Sequence, residues 1–319
     1  MRKKDNRVTE KDSNKEWMNV DMNQIIGSHH ILFLCLDALR YDVAKEEEKF
    51  GNTPILNQYG VWQKCQAVGN FTYPAHQGMF AGFFPCYAEA KQHKERIQLF
   101  FPENVGMGRK APKGVYGFSQ RTFVEALAAE GYETCCIGGV SFFDKRSGLG
   151  KVFPGYFTHS FWNPSFSPMV PDSTMNQITY ARKWLGKISS EKKIFMYLNI
   201  SAIHYPNYFY LEMEQKIKEN KKSQPDRGWE KDSRESHGAA LRYVDRKLEP
   251  LFKAFEQKGD TFVICCSDHG TCYGEDGCFS HGINHPMVNT IPYKHFIMKE
   301  SSKYDLEQAI YSKKPIYKK

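Results

Sequence analysis

The chain has no apolar run long enough to span a bilayer. Its longest, Ile31-Leu32-Phe33-Leu34-Cys35-Leu36, is six residues, against about 20 for a spanning helix. The first seventeen residues (MRKKDNRVTEKDSNKEW) hold no apolar stretch of the secretory kind, so a cytoplasmic location is expected. There is no C-x-x-C pair among the nine cysteines, which argues against a structural zinc ribbon. Adjacent cysteines such as Cys135-Cys136 and Cys265-Cys266 point to opposite faces of a strand and do not bridge readily, so reduced, buried thiols are expected. Neither sign of charge dominates: 44 Lys+Arg against 36 Asp+Glu leaves +8, part of it in Lys313, Lys314, Lys318 and Lys319. No interior segment interleaves basic and aromatic residues, so a nucleic-acid partner is not expected. No internal repeat is present.

What is there has ordinary globular composition, 41% hydrophobic and 25% charged. Continuous apolar runs at Ile31–Leu36, Thr134–Ile137, Lys193–Ile200 and Thr261–Cys266 read as strands covered on both faces. Helical patterns lie at Thr122–Gly131, at Met175–Leu185 and from Ser236 toward Lys258, where Pro250 should kink or divide the helix. Alternating strands and helices predict an α/β fold with a largely parallel central sheet sandwiched by helices on both faces. Residues 1–24 read as a flexible arm, 25–300 as a single domain with a polar insertion at 212–235, and 301–319 as a basic tail.

The chemistry gathers where strands end. Ile31–Leu36 runs into Asp37, and Thr261–Cys266 runs into Ser267-Asp268-His269-Gly270. Residues just past the carboxyl ends of strands line the crevice of such a sheet. Two carboxylates and an imidazole there are ligands for Zn²⁺ or Mn²⁺. In Thr72-Tyr73-Pro74-Ala75-His76, Pro74 suits the first turn of a helix ending near Ala81. That places Thr72 just ahead of the helix N-terminus, either as a cap or as a metal-activated nucleophile. His204-Tyr205-Pro206-Asn207 follows the Lys193–Ile200 strand, and Gly274-Glu275-Asp276-Gly277 leads to His281-Gly282.

Together, Asp37, Thr72 in T-x-P-x-H, His204 in I-H-x-P, the S-D-H-G of 267–270 and His281-Gly282 resemble the alkaline phosphatase superfamily. It includes sulfatases, phosphodiesterases and phosphoethanolamine transferases. The motifs stand in that superfamily's order from about Ile31 to Tyr293, and the fold expected is alkaline phosphatase-like. The flanking strings GSHHILFLCLDALRYDVA, CIGGVSFFDK and SAIHYPNYFY are similar to a group of small stand-alone members described as metalloenzymes.

The resemblance implies that Asp37, Thr72, Asp268 and His269 hold one divalent metal, with Thr72 also the nucleophile. His204 and His281 match positions that bind either a second metal or phosphate oxygens. Two departures bear on the chemistry. Sulfatases carry C-x-P-x-R, whose cysteine becomes formylglycine, whereas this chain has Thr72 and His76. The two-metal branch carries D-x-x-x-H, whereas four residues before His204 stands Ile200.

The expectation is a metal-dependent phosphoester hydrolase or phosphoryl-group transferase with Thr72, His204 and His281 catalytic. Its partner would be a small-molecule phosphate ester, with His76, Lys145 and Asn207 as candidates for binding it. One Zn or Mn ion is expected, and a second only if a carboxylate such as Asp42 or Glu275 joins His204 and His281. The alternatives are a sulfate or phosphonate ester hydrolase on the same site, or a catalytically silent metal-binding regulatory protein.

Overall fold

Strand β1, His30–Leu36, is buried at every position, as an unbroken apolar run requires of a strand covered on both faces. The computed structural model describes residues 20–82, 121–219 and 231–301. The other strands are β2 (Gln63–Gln66), β3 (Glu133–Ile137), β4 (His159–Phe161), β5 (Ile194–Ile200), β6 (Thr261–Cys266), β7 (Cys272–Tyr273), β8 (Phe279–Ser280) and β9 (Thr290–Met298). The principal helices are α1 (Tyr41–Lys49), α2 (Thr72–Ala81), α3 (Phe123–Ala129), α4 (Ser173–Leu185), α5 (Tyr208–Glu219) and α6 (Arg234–Glu256).

Seven strands form one sheet in the order β2-β9-β6-β1-β5-β3-β4. The five from β6 to β4 are parallel, and β9 runs antiparallel to both β6 and β2. Side chains of β1 alternate between two cores. Leu32, Leu34 and Leu36 pack with α4, α5 and α6, whereas Ile31, Phe33 and Cys35 pack with α2 and α3. The expected sandwich of helices on both faces is therefore present. A short hairpin, β7-β8, stands apart from the sheet.

Helix starts follow local chemistry. Thr122 caps α3 and Ser233 caps α6, each in a reciprocal capping box. Helix α6 is not divided at Pro250 but runs through it. Pro250 and Arg246 are both on the exposed side, where a carbonyl that the proline leaves unbonded need not be buried. Leu248, Leu251, Phe252 and Phe255 stay buried beneath.

Strands β2, β4 and β9 have no counterpart in the sequence reading, because β9 mixes Pro292, Lys294 and His295 among its apolar residues. Of the segments named there, the arm up to residue 19, the middle of the insertion (220–230) and the tail from 302 lie outside the described residues. The insertion's first part is the end of α5, where Glu214 pairs with Arg242.

Candidate active site

Asp37 follows β1 directly, and Asp268 and His269 follow β6 one residue later. Because β1 and β6 are adjacent and parallel, their carboxyl ends deliver these groups to one place. Ser267 ties the two ends together, its hydroxyl 2.8 Å from the Leu36 carbonyl and 2.7 Å from that of His269. Ala38 takes a left-handed conformation (φ 65°) and donates its N–H to Asp268 Oδ1 at 3.1 Å. The His269 N–H reaches the same oxygen at 3.0 Å.

One oxygen of each carboxylate is thus spoken for. Asp37 Oδ2 accepts from Asn199 Nδ2 at 2.8 Å. Asn199 is held in turn, its Oδ1 accepting the N–H groups of Gly139 (3.2 Å) and Val140 (3.0 Å). A side chain at Gly139 would place its Cβ 2.4 Å from the Asn199 carbonyl oxygen, so only glycine admits this approach. The other oxygens, Asp37 Oδ1 and Asp268 Oδ2, are buried and have no hydrogen-bond partner among the described residues.

His269 completes the set. Its Nδ1 bonds the Gly270 carbonyl at 2.9 Å, which puts the proton there and leaves the Nε2 lone pair bare. Nε2 lies 3.4 Å from Asp268 Oδ2, 3.7 Å from Asp37 Oδ1 and 3.4 Å from Thr72 Oγ1. Tetrahedral ligands about 2.0–2.2 Å from a zinc ion stand roughly 3.3–3.6 Å apart. The spacing around Nε2 therefore fits a small divalent cation, and so does the chemistry of two orphaned carboxylate oxygens. Burial, and then the neighbouring Asp268, push the Asp37 carboxyl well above the usual range. Two enclosed carboxylates need a positive charge between them.

Thr72 opens α2 as its first residue, with Phe71 in the capping position and no side-chain cap. The helix starts two residues earlier than Pro74 alone indicates, and the Thr72 hydroxyl is not used as a cap. Gly82, left-handed at φ 78°, ends the helix.

His204 and His281 stand beside this group. The ring centroids of His281 and His269 are 4.5 Å apart, and those of His204 and His281 are 5.1 Å apart. Burial lowers the His204 pKa to about 4 and carries that of His281 well down, so both rings are neutral near pH 7.

Three expected substrate residues are placed otherwise. His76 is fully enclosed, with Nδ1 on the Thr72 carbonyl at 2.7 Å and Nε2 on the Tyr197 hydroxyl. It buttresses α2 from below. Lys145 Nζ turns away to the carbonyl (2.8 Å) and hydroxyl (3.1 Å) of Ser160 on β4. Asn207 is buried, donating to the Ile203 carbonyl and the Tyr273 hydroxyl while accepting from Ser236. Its polar atoms are spent on holding the loop that carries His204.

The carboxylates considered for a second cation are also committed. Arg40, 2% exposed, clasps both oxygens of Asp42 at 2.9 and 2.8 Å and also pairs with Glu275. Cys35, His76 and Asp268 converge beneath the site, but both His76 nitrogens are bonded and burial pushes the Cys35 thiol well up.

The sulfatase family model matches residues 30–294, which takes in every one of these groups. The chain belongs to the sulfatase family. No curated protein sequence matches it. Among solved structures, this sulfatase-family chain is similar to the periplasmic domain of phosphoethanolamine transferase EptC from Campylobacter jejuni. The TM-score is 0.54 at 16% identity, covering 89% of this chain and 84% of that one. The soluble domain of lipooligosaccharide phosphoethanolamine transferase A from Neisseria meningitidis gives 0.57 at 18% identity, covering 89% and 80%. The periplasmic domain of EptC from Escherichia coli, in complex with Zn, gives 0.54 at 15%, covering 88% and 75%. These likenesses show the fold that the chain shares with those transferase domains. Among the described residues of this family member, no helix is long and apolar enough to cross a membrane.

Sequence reasoning missed Asn199, Ala38 and Arg40. Asn199 had a usable signal, as the one amide inside the apolar run KIFMYLNI. The other two had none, since Ala38 acts through its backbone conformation and Asp268, 230 residues away, and Arg40 joins nearby Asp42 to Glu275, 235 residues away.

Proposed function

We propose that the protein is a metal-dependent phosphoester hydrolase or phosphoryl-group transferase with Thr72 as its nucleophile. The observation that carries this reading is Thr72 Oγ1, free of capping duty and 3.4 Å from His269 Nε2, beside two carboxylate oxygens with no hydrogen-bond partner among the described residues. Asp37, Thr72, Asp268 and His269 would hold one divalent cation, Zn or Mn. When bound, the cation supplies Lewis acidity that makes the threonine hydroxyl a better nucleophile and offsets phosphate charge.

The chain's own groups set up the displacement. The first turn of α2 points unpaired N–H groups and the positive end of its dipole at the reacting oxygens. Thr72 Oγ gives its proton to water and bonds to phosphorus as the bond to the leaving alcohol breaks. The alcohol departs with the electron pair and takes a proton from water. The oxygen of water, or of an acceptor alcohol, then displaces Thr72 from phosphorus and restores its hydroxyl. His76 and Tyr197 hold Thr72 in register from below. The neutral rings of His204 and His281 border the space that the phosphoryl oxygens would occupy.

Threonine at position 72 supports phosphate over sulfate esters, because formylglycine is made from cysteine in the C-x-P-x-R pattern. The test is a panel of paired phosphate and sulfate esters, assayed with and without added Zn²⁺ or Mn²⁺. Phosphate turnover and a labelled Thr72 are expected, both lost in Thr72→Ala. Turnover that survives this substitution overturns the covalent route. Stoichiometric metal with no turnover of any ester points to a silent metal-binding protein.

A further inference from the structure

A pocket of about 510 Å³ opens beside the proposed phosphoryl site. Its described lining includes Tyr205, Thr271 and Ser280, each next in sequence or nearly so to His204, His269 and His281. The Tyr205 ring lies 4.2 Å from that of His204 and 5.3 Å from that of His281, centroid to centroid. Anything filling this pocket is therefore in reach of the reacting phosphorus, and the alcohol portion of an ester is the part that would do so.

The walls are unusual for an alcohol subsite. Tyr205, Tyr273 and Phe279 present aromatic rings, and Phe279 is 70% exposed at the mouth. Asp232 is the one formally charged residue among the described lining. Its Oδ1 accepts the N–H groups of Asn207 and Tyr208 at 2.8 Å each, which caps α5. Its Oδ2 is buried and has no hydrogen-bond partner among the described residues. A buried carboxylate oxygen without a partner carries a desolvation cost that a cation removes.

The hydroxyls narrow the choice of cation. His237 Nε2 accepts the Arg40 N–H at 3.2 Å, so its Nδ1 carries the proton and donates to Tyr273 Oη at 2.8 Å. Asn207 Nδ2 donates to the same oxygen at 3.0 Å. The Tyr205 hydroxyl is engaged with Ser280. A primary ammonium needs three acceptors, and the two tyrosine oxygens are already committed. A methylated ammonium needs none, only ring faces and a counter-charge.

We infer that this pocket is a subsite for an alcohol bearing a quaternary ammonium group, with Asp232 its counter-ion and Tyr205, Tyr273 and Phe279 its walls. The inference rests on the phosphoester reading for the alcohol's role, but not for the binding itself. The test measures binding of choline, its uncharged isostere 3,3-dimethylbutan-1-ol, and ethanolamine to the metal-loaded full chain by calorimetry. Choline should bind at least ~10-fold more tightly than the isostere, and ethanolamine more weakly than choline. Asp232→Asn keeps the carbonyl oxygen that caps α5, so its Tm should hold while the preference for choline disappears. Phe279→Ala should weaken choline binding without touching that charge.

Equal binding of choline and its isostere overturns the inference, as does a preference that survives Asp232→Asn. Tighter ethanolamine binding overturns the quaternary assignment. The two readings fail separately. A protein that binds choline yet turns over no ester sinks the reaction and keeps the subsite. One that turns over esters without regard to an ammonium group sinks the subsite alone.

Discussion

Asn199, near the end of β5, reaches across to β1 and donates to Asp37 Oδ2 at 2.8 Å. Its own carbonyl oxygen is pinned by the backbone of Gly139 and Val140, so the amide cannot turn over. The bond leaves Asp37 Oδ1 as the oxygen facing the site. Asn199→Ala should therefore weaken metal affinity by roughly 10- to 100-fold, the usual effect of losing such a supporting contact. Competition against a calibrated chelator measures this, and an unchanged affinity would show that Asp37 needs no orientation.

Metal number can be decided at His204. With Arg40 holding Asp42 and Glu275, a second cation would have only neutral imidazoles to bind. His204→Ala should lower turnover while leaving one metal ion per chain, as in the wild type. Elemental analysis of the two proteins side by side checks it. A wild type with two ions and a variant with one would reverse the assignment.

Acid should weaken the fold through His237. Burial, and then Arg40, lower its pKa to about 3, whereas the unfolded chain titrates near 6.5. The unfolded state binds the extra proton between these values, so the stabilisation is complete above pH 6.5 and is lost as pH falls toward 3. Between pH 6.5 and 5 the loss attributable to this residue is about 2 kcal/mol. Denaturant melts at the two pH values should show it, and His237→Gln should flatten the difference. A His237→Gln protein as acid-sensitive as the wild type would assign the effect elsewhere.

Ala38 carries a conformational cost that the site needs. A left-handed alanine is disfavoured by roughly 1–2 kcal/mol, and its N–H is what holds Asp268 Oδ1. A β-branched residue is worse in that region and has no room, since Ala38 is 1% exposed. Ala38→Val should cost at least ~1–2 kcal/mol of stability and weaken metal binding, whereas Ala38→Gly should do neither. Equal stability of the alanine and valine proteins would contradict this.

The frame of the fold was legible because unbroken apolar runs mark strands covered on both faces, and such strands end at a crevice. That is why Asp37, Asp268 and His269 could be picked out by what precedes them. Thr72 was legible through Pro74, although the helix begins at the threonine itself. Strand β9 was not legible, since a strand near a sheet's edge tolerates Pro292 and its polar neighbours. The fates of His76, Lys145 and Asn207 were hidden for a different reason. Each side chain is captured by a partner that no local pattern names: Tyr197 for His76, Ser160 for Lys145, and Tyr273 with Ser236 for Asn207. Polar residues near a strand end look alike in sequence whether they face a substrate or brace a loop.

The placement of the histidines separates inheritance from invention. Asp37, Thr72, Asp268 and His269 are fixed to the sheet's ends and a helix start, where any shift would disturb the core. His281 instead follows the small β7-β8 hairpin, which belongs to a sheet of its own and bears Phe279 and Tyr273 on its two strands. That hairpin is tied down by Glu275 to Arg40 and by the Tyr273 hydroxyl to His237 and Asn207. Phe279 and Ser280 on its second strand are exposed and can be exchanged without disturbing Asp37, Thr72, Asp268 or His269. On the proposed reading, ester chemistry and ester choice sit on different elements, and changes confined to the hairpin, at Tyr273 and Phe279, would alter the second without the first.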